Sequence, residues 1–259
     1  MKGLDPMRQV PCKRDLSPCK YGIVGSGRVS RHFAKYFQLL GLDFTTISGR
    51  GVARAEIEAK FAECDVLLVL ISDDQISDFI EKNLHSFPKS TLVHFSGCLS
   101  IEGVQGAHPL MTFSNEIYDL DTFSRIPFVC EKGKSRFEDL FPNLKNPVYY
   151  IDSEMKPFYH ALCVMAGNFT SILWQKLFRD FEEKLRIPPE AAFLYLQKVV
   201  ENLVGNFREA LTGPFARGDY KVIEKNLKSL QNDEFQKIYL AFAGLFENNR
   251  ENKYGKNSN

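Results

Sequence analysis

Six short apolar runs, alternating with helix-length amphipathic stretches, constrain this chain more than any other feature. The runs are YGIVG (21–25), DFTTIS (43–48), DVLLVLI (65–71), STLVHFS (90–96), IPFVC (126–130) and PVYYI (147–151). VLLVLI is apolar on both faces, the pattern of a parallel strand buried from two sides. Between the early runs lie RVSRHFAKYFQLL, VARAEIEAKFAE and DDQISDFIEKNL, each with apolar residues at helical spacing. Strands alternating with helices of that length predict βαβ units in a doubly wound parallel sheet, an α/β domain over 20–152.

The strand signal stops near residue 152. A long helical pattern covers 156–186, interrupted only by Gly167. A second opens at Pro188-Pro189, places Phe193, Leu196, Val200, Leu203 and Phe207 on one stripe, and closes at Gly213-Pro214. Two more follow over about 219–230 and 233–248. Residues 153–250 therefore read as an all-helical domain, 1–19 as a loose polar leader and 251–259 as a frayed tail.

Composition limits the functional classes. Hydrophobic residues make up 44% of the chain and charged residues 25%, as in soluble globular proteins, which argues against disorder, collagen and coiled coil. Lys plus Arg total 33 against 32 acids, a net charge of +1. That balance offers no field to hold a polyanion, so no nucleic-acid partner is expected. The six cysteines lie far apart, without a C-x-x-C pair or a histidine at metal spacing, so no metal is expected and reduced thiols are. Neither a signal peptide nor a membrane-length apolar segment is visible, and the expectation is a cytoplasmic protein without a membrane partner.

The chemistry starts at the first strand. YGIVGSGRVSRHF puts Gly25, Gly27 and Ser30 at the three glycine places of G-x-G-x-x-G, between an apolar strand and an amphipathic helix. Gly25 allows the tight turn, Gly27 lets the backbone approach a pyrophosphate, and the helix start supplies unpaired N–H groups. Ser26, Arg28 and Val29 complete that loop. At the end of the second strand, Ser48-Gly49-Arg50 stands where a ribose-binding acid is usual. Ser48 and Arg50, with Arg28, suit a 2′-phosphate instead, and the expected cofactor is NADP(H).

Further strand ends carry polar residues. In Ser72-Asp73-Asp74, Ser72 can line the cofactor site, while either aspartate is expected to cap the next helix. Ser96 and Gly97 can line the nicotinamide pocket, and His94 beside them reads as a core histidine. In Gly106-Ala107-His108-Pro109 the proline suggests a stiffened turn, with His108 placed to orient a substrate carbonyl or carboxylate. The helix opening KPFYHALCVMAGN offers Lys156, Tyr159 and His160 as proton donors and Asn168 beside a permissive Gly167. In LTGPFARGDY, Thr212, Arg217 and Asp219 could bind substrate; alternatively Thr212 and Asp219 cap helices and Arg217 pairs with Asp219.

GSGRVS (25–30), HFSG (94–97), AHPLMTF (107–113), FYHALCVMAGN (158–168) and ALTGPFARGD (210–219) together resemble one family. It is the group of provisionally assigned NADP oxidoreductases with a Rossmann-like domain followed by the domain of unknown function 2520. The resemblance runs in order from about residue 20 to 245. That family looks related to ketopantoate reductase, pyrroline-5-carboxylate reductase, prephenate dehydrogenase and the deazaflavin-dependent NADP reductases. The resemblance implies a glycine loop for NADP, a helical C-terminal domain, a homodimer formed through those helices, and an active site between the domains. Two residues depart from the pattern: Ser30 replaces the third glycine, and Asn226 stands where a histidine is usual.

The expectation is an oxidoreductase passing hydride between NADP(H) and a small polar carbonyl, imine or hydroxy acid. His160 or Lys156 would be the acid/base, with Asn168, His108, Tyr159 and Arg217 positioning substrate. The competing expectation is a dinucleotide-binding sensor without turnover.

Overall fold

A computed structural model describes residues 19–84, 87 and 89–254. The expected leader, apart from Cys19, and the last five residues lie outside the described residues. The chain forms two compact units divided between Leu173 and Trp174.

The first unit runs β1 (Lys20–Val24), α1 (Arg28–Leu39), β2 (Asp43–Ile47), α2 (Arg54–Phe61), β3 (Val66–Val69), α3 (Asp73–Phe79) and β4 (Thr91–His94). It continues with β5 (Gln105–Pro109), α4 (Leu120–Arg125), β6 (Phe128–Glu131), α5 (Phe137–Leu140), β7 (Val148–Ile151) and α6 (Lys156–Val164). A π-helical turn over Met165–Phe169 leads into α7 (Thr170–Asp180), within which the units divide. The seven strands form one sheet in the order β2-β1-β3-β4-β5-β6-β7. All neighbours are parallel except β5 and β6.

Alternation along the inner strands explains their two-faced apolar character. Val66 and Leu68 of β3 pack with Tyr21, Ile23, Phe33 and Phe37 on one side. Leu67 and Val69 pack with Ile57, Phe61 and Ile76 on the other. Helices therefore cover both faces, and the order reverses around β1, giving a Rossmann-like sheet with its switch point between β1 and β3.

Three expectations are corrected here. The Gly106–Pro109 segment is not a stiffened turn but part of the inner strand β5, pairing with β4 and β6. Its Gly, Ala and Pro are poor strand formers, and the pairing on both sides overrides that preference. The first unit also ends some twenty residues beyond the expected boundary at 152, because α6 is bonded to the sheet through Lys156 and Tyr159. Ser72 occupies the N-cap of α3 without a side-chain bond, so neither Asp73 nor Asp74 caps it.

The second unit is helical. A π-helical turn (Phe181–Leu185) and a 3-10 turn (Pro189–Ala192) precede α8 (Phe193–Asn206), α9 (Gly213–Arg217), α10 (Tyr220–Ser229) and α11 (Gln236–Tyr254). Gly213-Pro214 opens α9 rather than closing the helix before it; proline fits a first turn, where its missing N–H is no loss. The final helix reaches Tyr254, so part of the expected frayed tail is helical. Lys176 bonds Asp233 at 2.7 Å and also Asp180, tying α7 to the loop before α11. Among the described residues, no helix is long and apolar enough to cross a membrane.

Candidate active site

At the switch point lies a cleft of about 390 Å³, within the usual size of a small-ligand site. Gly25, Ser26, Gly27, Arg28 and Val29 form one wall; Arg50, Ser72 and Ser96 are also on its lining. These are eight of the ten residues expected there from the sequence. Ser48 and Gly97 lie off the lining.

The two glycines differ in physical role. Gly25 has φ +131°, and a Cβ there would sit 2.2 Å from the Leu70 carbonyl oxygen. Its N–H donates to Ile47 at 2.8 Å, so the turn is wedged between β2 and β3. Gly27 has ordinary dihedrals at the N-cap of α1, and nothing lies within 4 Å of where its Cβ would be. No side chain caps that helix start. The unpaired N–H groups and the open glycine face together are what an approaching phosphate needs. Ser30 does more than substitute for a glycine: its buried hydroxyl donates to the Leu70 carbonyl at 3.0 Å, fastening α1 to the end of β3.

The Ser48 hydroxyl is exposed and accepts a 3.4 Å bond from the Arg50 N–H. Among the described residues, neither Arg28 nor Arg50 makes an ion pair, and both are exposed residues on the lining of the cleft. Sequence reasoning missed Asp73 as a lining residue. Its carboxylate accepts a 2.5 Å bond from Ser96, whose oxygen in turn accepts the Cys98 and Leu99 N–H groups.

A second cluster forms around Gly97, the residue after the cleft-lining Ser96. His108 Nδ1 lies 2.7 Å from the Tyr159 hydroxyl, and its ring meets that of His160 edge-on at 5.8 Å. Gly97 fits between them: a Cβ there would lie 2.6 Å from His160 and 3.1 Å from His108. Burial, reinforced by the neighbouring His160 and Lys156, pushes the His108 pKa down to about 4, so its imidazole is neutral at neutral pH. Burial, reinforced by the Cys163 side chain, pushes the Tyr159 phenol above its ordinary range. His108, Tyr159, His160 and Gly97, singled out in three separate stretches of sequence, are thus brought together.

Lys156 is not. It is 2% exposed, and its ammonium bonds the Glu131 carboxylate at 3.1 Å. Burial lowers its pKa and Glu131 counters that, so it is a paired internal charge and not an open proton donor. Burial raises Glu131, but Ser100, Lys134, Ser153 and Lys156 outweigh it and hold the carboxyl down at about 2. Nothing in the sequence distinguishes this glutamate from a surface acid at a strand end. His94 is fully buried, as a core histidine should be. Its Nδ1 accepts the Ser96 N–H at 3.2 Å, while its Nε2 has no partner among the described residues.

Asn168 is exposed in the π-helical turn, without a bond to the His108 cluster. In the second unit, Arg217 pairs with Asp219 at 2.8 Å, and Thr212 occupies the N-cap of α9 without a side-chain bond. The Arg217 guanidinium is therefore already engaged. Asn226 donates to the Tyr239 hydroxyl at 3.2 Å. Cys64, Cys98, Cys130 and Cys163 are free thiols. Among the described residues, no group of three or more His, Cys, Asp or Glu could hold a metal ion.

Comparison with known proteins agrees with this architecture. Residues 129–245 match the family model described as a domain of unknown function, DUF2520. A provisionally assigned NADP oxidoreductase from Bacteroides fragilis is similar with a TM-score of 0.71 and 21% identity, over 88% of this chain and 98% of that one. A Thermotoga maritima protein gives 0.65 and 21%, over 90% and 99%. A reductive aminase from Aspergillus terreus, solved with NADPH and ethyl levulinate, gives 0.58 and 17%, over 92% and 95%. At these identities the likeness establishes the fold. No curated protein matches the chain in sequence.

Proposed function

We propose that this chain, whose residues 129–245 match the DUF2520 family model, is an NADP(H)-dependent oxidoreductase acting on a small polar carbonyl, imine or hydroxy acid. The observation that carries the reading is the pairing of an open, uncapped glycine loop at the sheet switch point with the His108–Tyr159–His160 cluster nearby on the same unit. That the reductive aminase of similar fold binds NADPH supports it.

The residues present fit the dinucleotide. The N–H groups at the start of α1 would hold the pyrophosphate against Gly27, where a side chain is missing and space is open. Ser48, Arg50 and Arg28 would hold a 2′-phosphate. When bound, NADPH supplies the hydride. The chain's own contribution is to hold a proton and exclude competing chemistry. His160 is the acid/base beside the acceptor heteroatom. His108, kept neutral, and Tyr159, kept as a phenol, orient that heteroatom without placing a charge against it.

The test is a titration of wild type and Arg50→Ala with NADPH and NADH. A charge-assisted bond contributes about 1.5–3 kcal/mol, so the variant should weaken NADPH by about 10- to 100-fold and leave NADH unchanged. Failure of the wild type to bind either nucleotide would remove the cofactor reading.

The same reading includes a second copy of the chain. The helices of the second unit bury almost nothing of their own: Val204 is 83% exposed, Phe207 69% and Leu194 65%. Apolar helix stripes left this exposed need a partner surface, and a two-fold pairing is the simplest that closes. Light scattering on the purified protein should give the mass of two chains. Val204→Asp combined with Phe207→Glu should give one.

A further inference from the structure

We propose that Glu131 is the positioning residue of this site, clamping the loop after Gly97 to the helix that carries Tyr159 and His160. The inference rests on reading the His108 cluster as the active site. It concerns a residue outside that cluster.

Four donors from three chain segments converge on the one carboxylate. Ser100 donates at 2.5 Å from the loop that follows Gly97. Lys134 lies at 2.9 Å and also donates to the carbonyls of Ile101 and Val104. Ser153 donates at 2.8 Å and Lys156 at 3.1 Å, both from the entry to α6. The Glu131 side chain is wholly buried. Strand β5 makes room by having Gly106 opposite: a Cβ there would lie 2.2 Å from Glu131 Oε1 and 2.5 Å from Lys156 Nζ.

The geometry turns this clamp into a register pin. Residues three and four apart share one helix face, so fixing Lys156 fixes the direction in which Tyr159 and His160 project. Residues two apart share one strand face, so Gly106 and His108 lie under the same helix. The Glu131–Lys156 pair joins β6 to α6, and the His108–Tyr159 pair joins the neighbouring β5 to the same helix. The clamp also holds Ser100, three residues beyond the Gly97 that fits between His108 and His160. Apolar side chains could join helix and sheet as firmly as a buried ion pair. What the carboxylate adds is a fixed geometry for both segments.

The experiment reads the histidine ring nitrogens of the full chain by NMR, alongside thermal unfolding and NADPH titration. Tyr159→Phe defines the His108 signal when the His108–Tyr159 pair is broken. Glu131→Gln should move the His108 signal toward that position, with the NADPH dissociation constant within about twofold of wild type. Leu144→Ala, a core truncation in the connection between α5 and β7, should lower the melting temperature and leave the His108 signal in place. If Glu131→Gln leaves that signal unchanged, or Leu144→Ala moves it as far, the proposal is wrong. Should Glu131→Gln fail to fold, Ser153→Ala removes one donor and keeps the ion pair. It should shift the signal part of the way, and no shift overturns the proposal. A wild type that binds no NADPH, yet shows the Glu131-dependent shift, would sink the functional reading and leave the positioning role standing.

Discussion

Gly25→Ala is expected to abolish NADPH binding and to destabilise the chain by about 3 kcal/mol or more, combining a disfavoured backbone conformation with a steric clash. The φ of +131° is one that L side chains rarely adopt, and the added methyl would stand 2.2 Å from the Leu70 carbonyl oxygen. That carbonyl belongs to the end of β3 and accepts the Ser30 hydroxyl, so the strand end cannot retreat without losing a bond to α1. At this chain length the loss corresponds to a melting temperature lower by about 6–12 °C. Gly27→Ala is the matched comparison. Its φ is −72° and its Cβ meets nothing within 4 Å, so the fold should be untouched. The methyl would nevertheless occupy the face a phosphate must approach, and NADPH affinity should fall about tenfold or more with an unchanged melting temperature. Equal binding by Gly27→Ala and wild type would mean that the glycine face is not the phosphate site.

The contrast between these two glycines shows what the sequence carries and what it leaves out. A strand, two spaced glycines and a helix are local features, and the fingerprint is legible because each step depends on neighbours in the chain. The same holds for β3, whose unbroken apolar run is the trace of burial on both faces. Strand β5 was hidden because Gly106, Ala107 and Pro109 carry no local preference for it. Gly106 is there to admit Glu131 and Lys156, which come from 25 and 50 residues away. His108, Tyr159 and His160 could be named as polar residues at element ends, but their meeting depends on that distant packing. Lys156 shows the reverse error: its place one helical turn before His160 suggested an open proton donor, and only the fold brings the carboxylate that engages it. Arg217 was legible both ways, and its bond to Asp219 decides for the ion pair.

Glu131→Ala should be among the most destabilising single changes to the first unit, about 3–5 kcal/mol, because it strands a buried ammonium. Lys156 is 2% exposed, and among the described residues Glu131 is the carboxylate it pairs with. Lys156→Met should cost much less, since Glu131 keeps Lys134, Ser100 and Ser153. The pH dependence separates this from ordinary loss of packing. Glu131 titrates at about 2 in the folded chain against an ordinary 4.5, so its contribution is complete above 4.5 and is lost as pH falls toward 2. Wild type should therefore lose melting temperature across that window more steeply than Glu131→Ala. At the alkaline end the unpaired Lys156 of the variant releases its proton more readily than in the unfolded chain, where it titrates near 10.5. Stability of Glu131→Ala should consequently rise relative to wild type as pH climbs toward 10.5. Parallel pH profiles for the two proteins would show that the pair contributes packing alone. Diverging profiles at both ends would establish that charge holds α6 on the sheet, the condition under which Tyr159 meets His108.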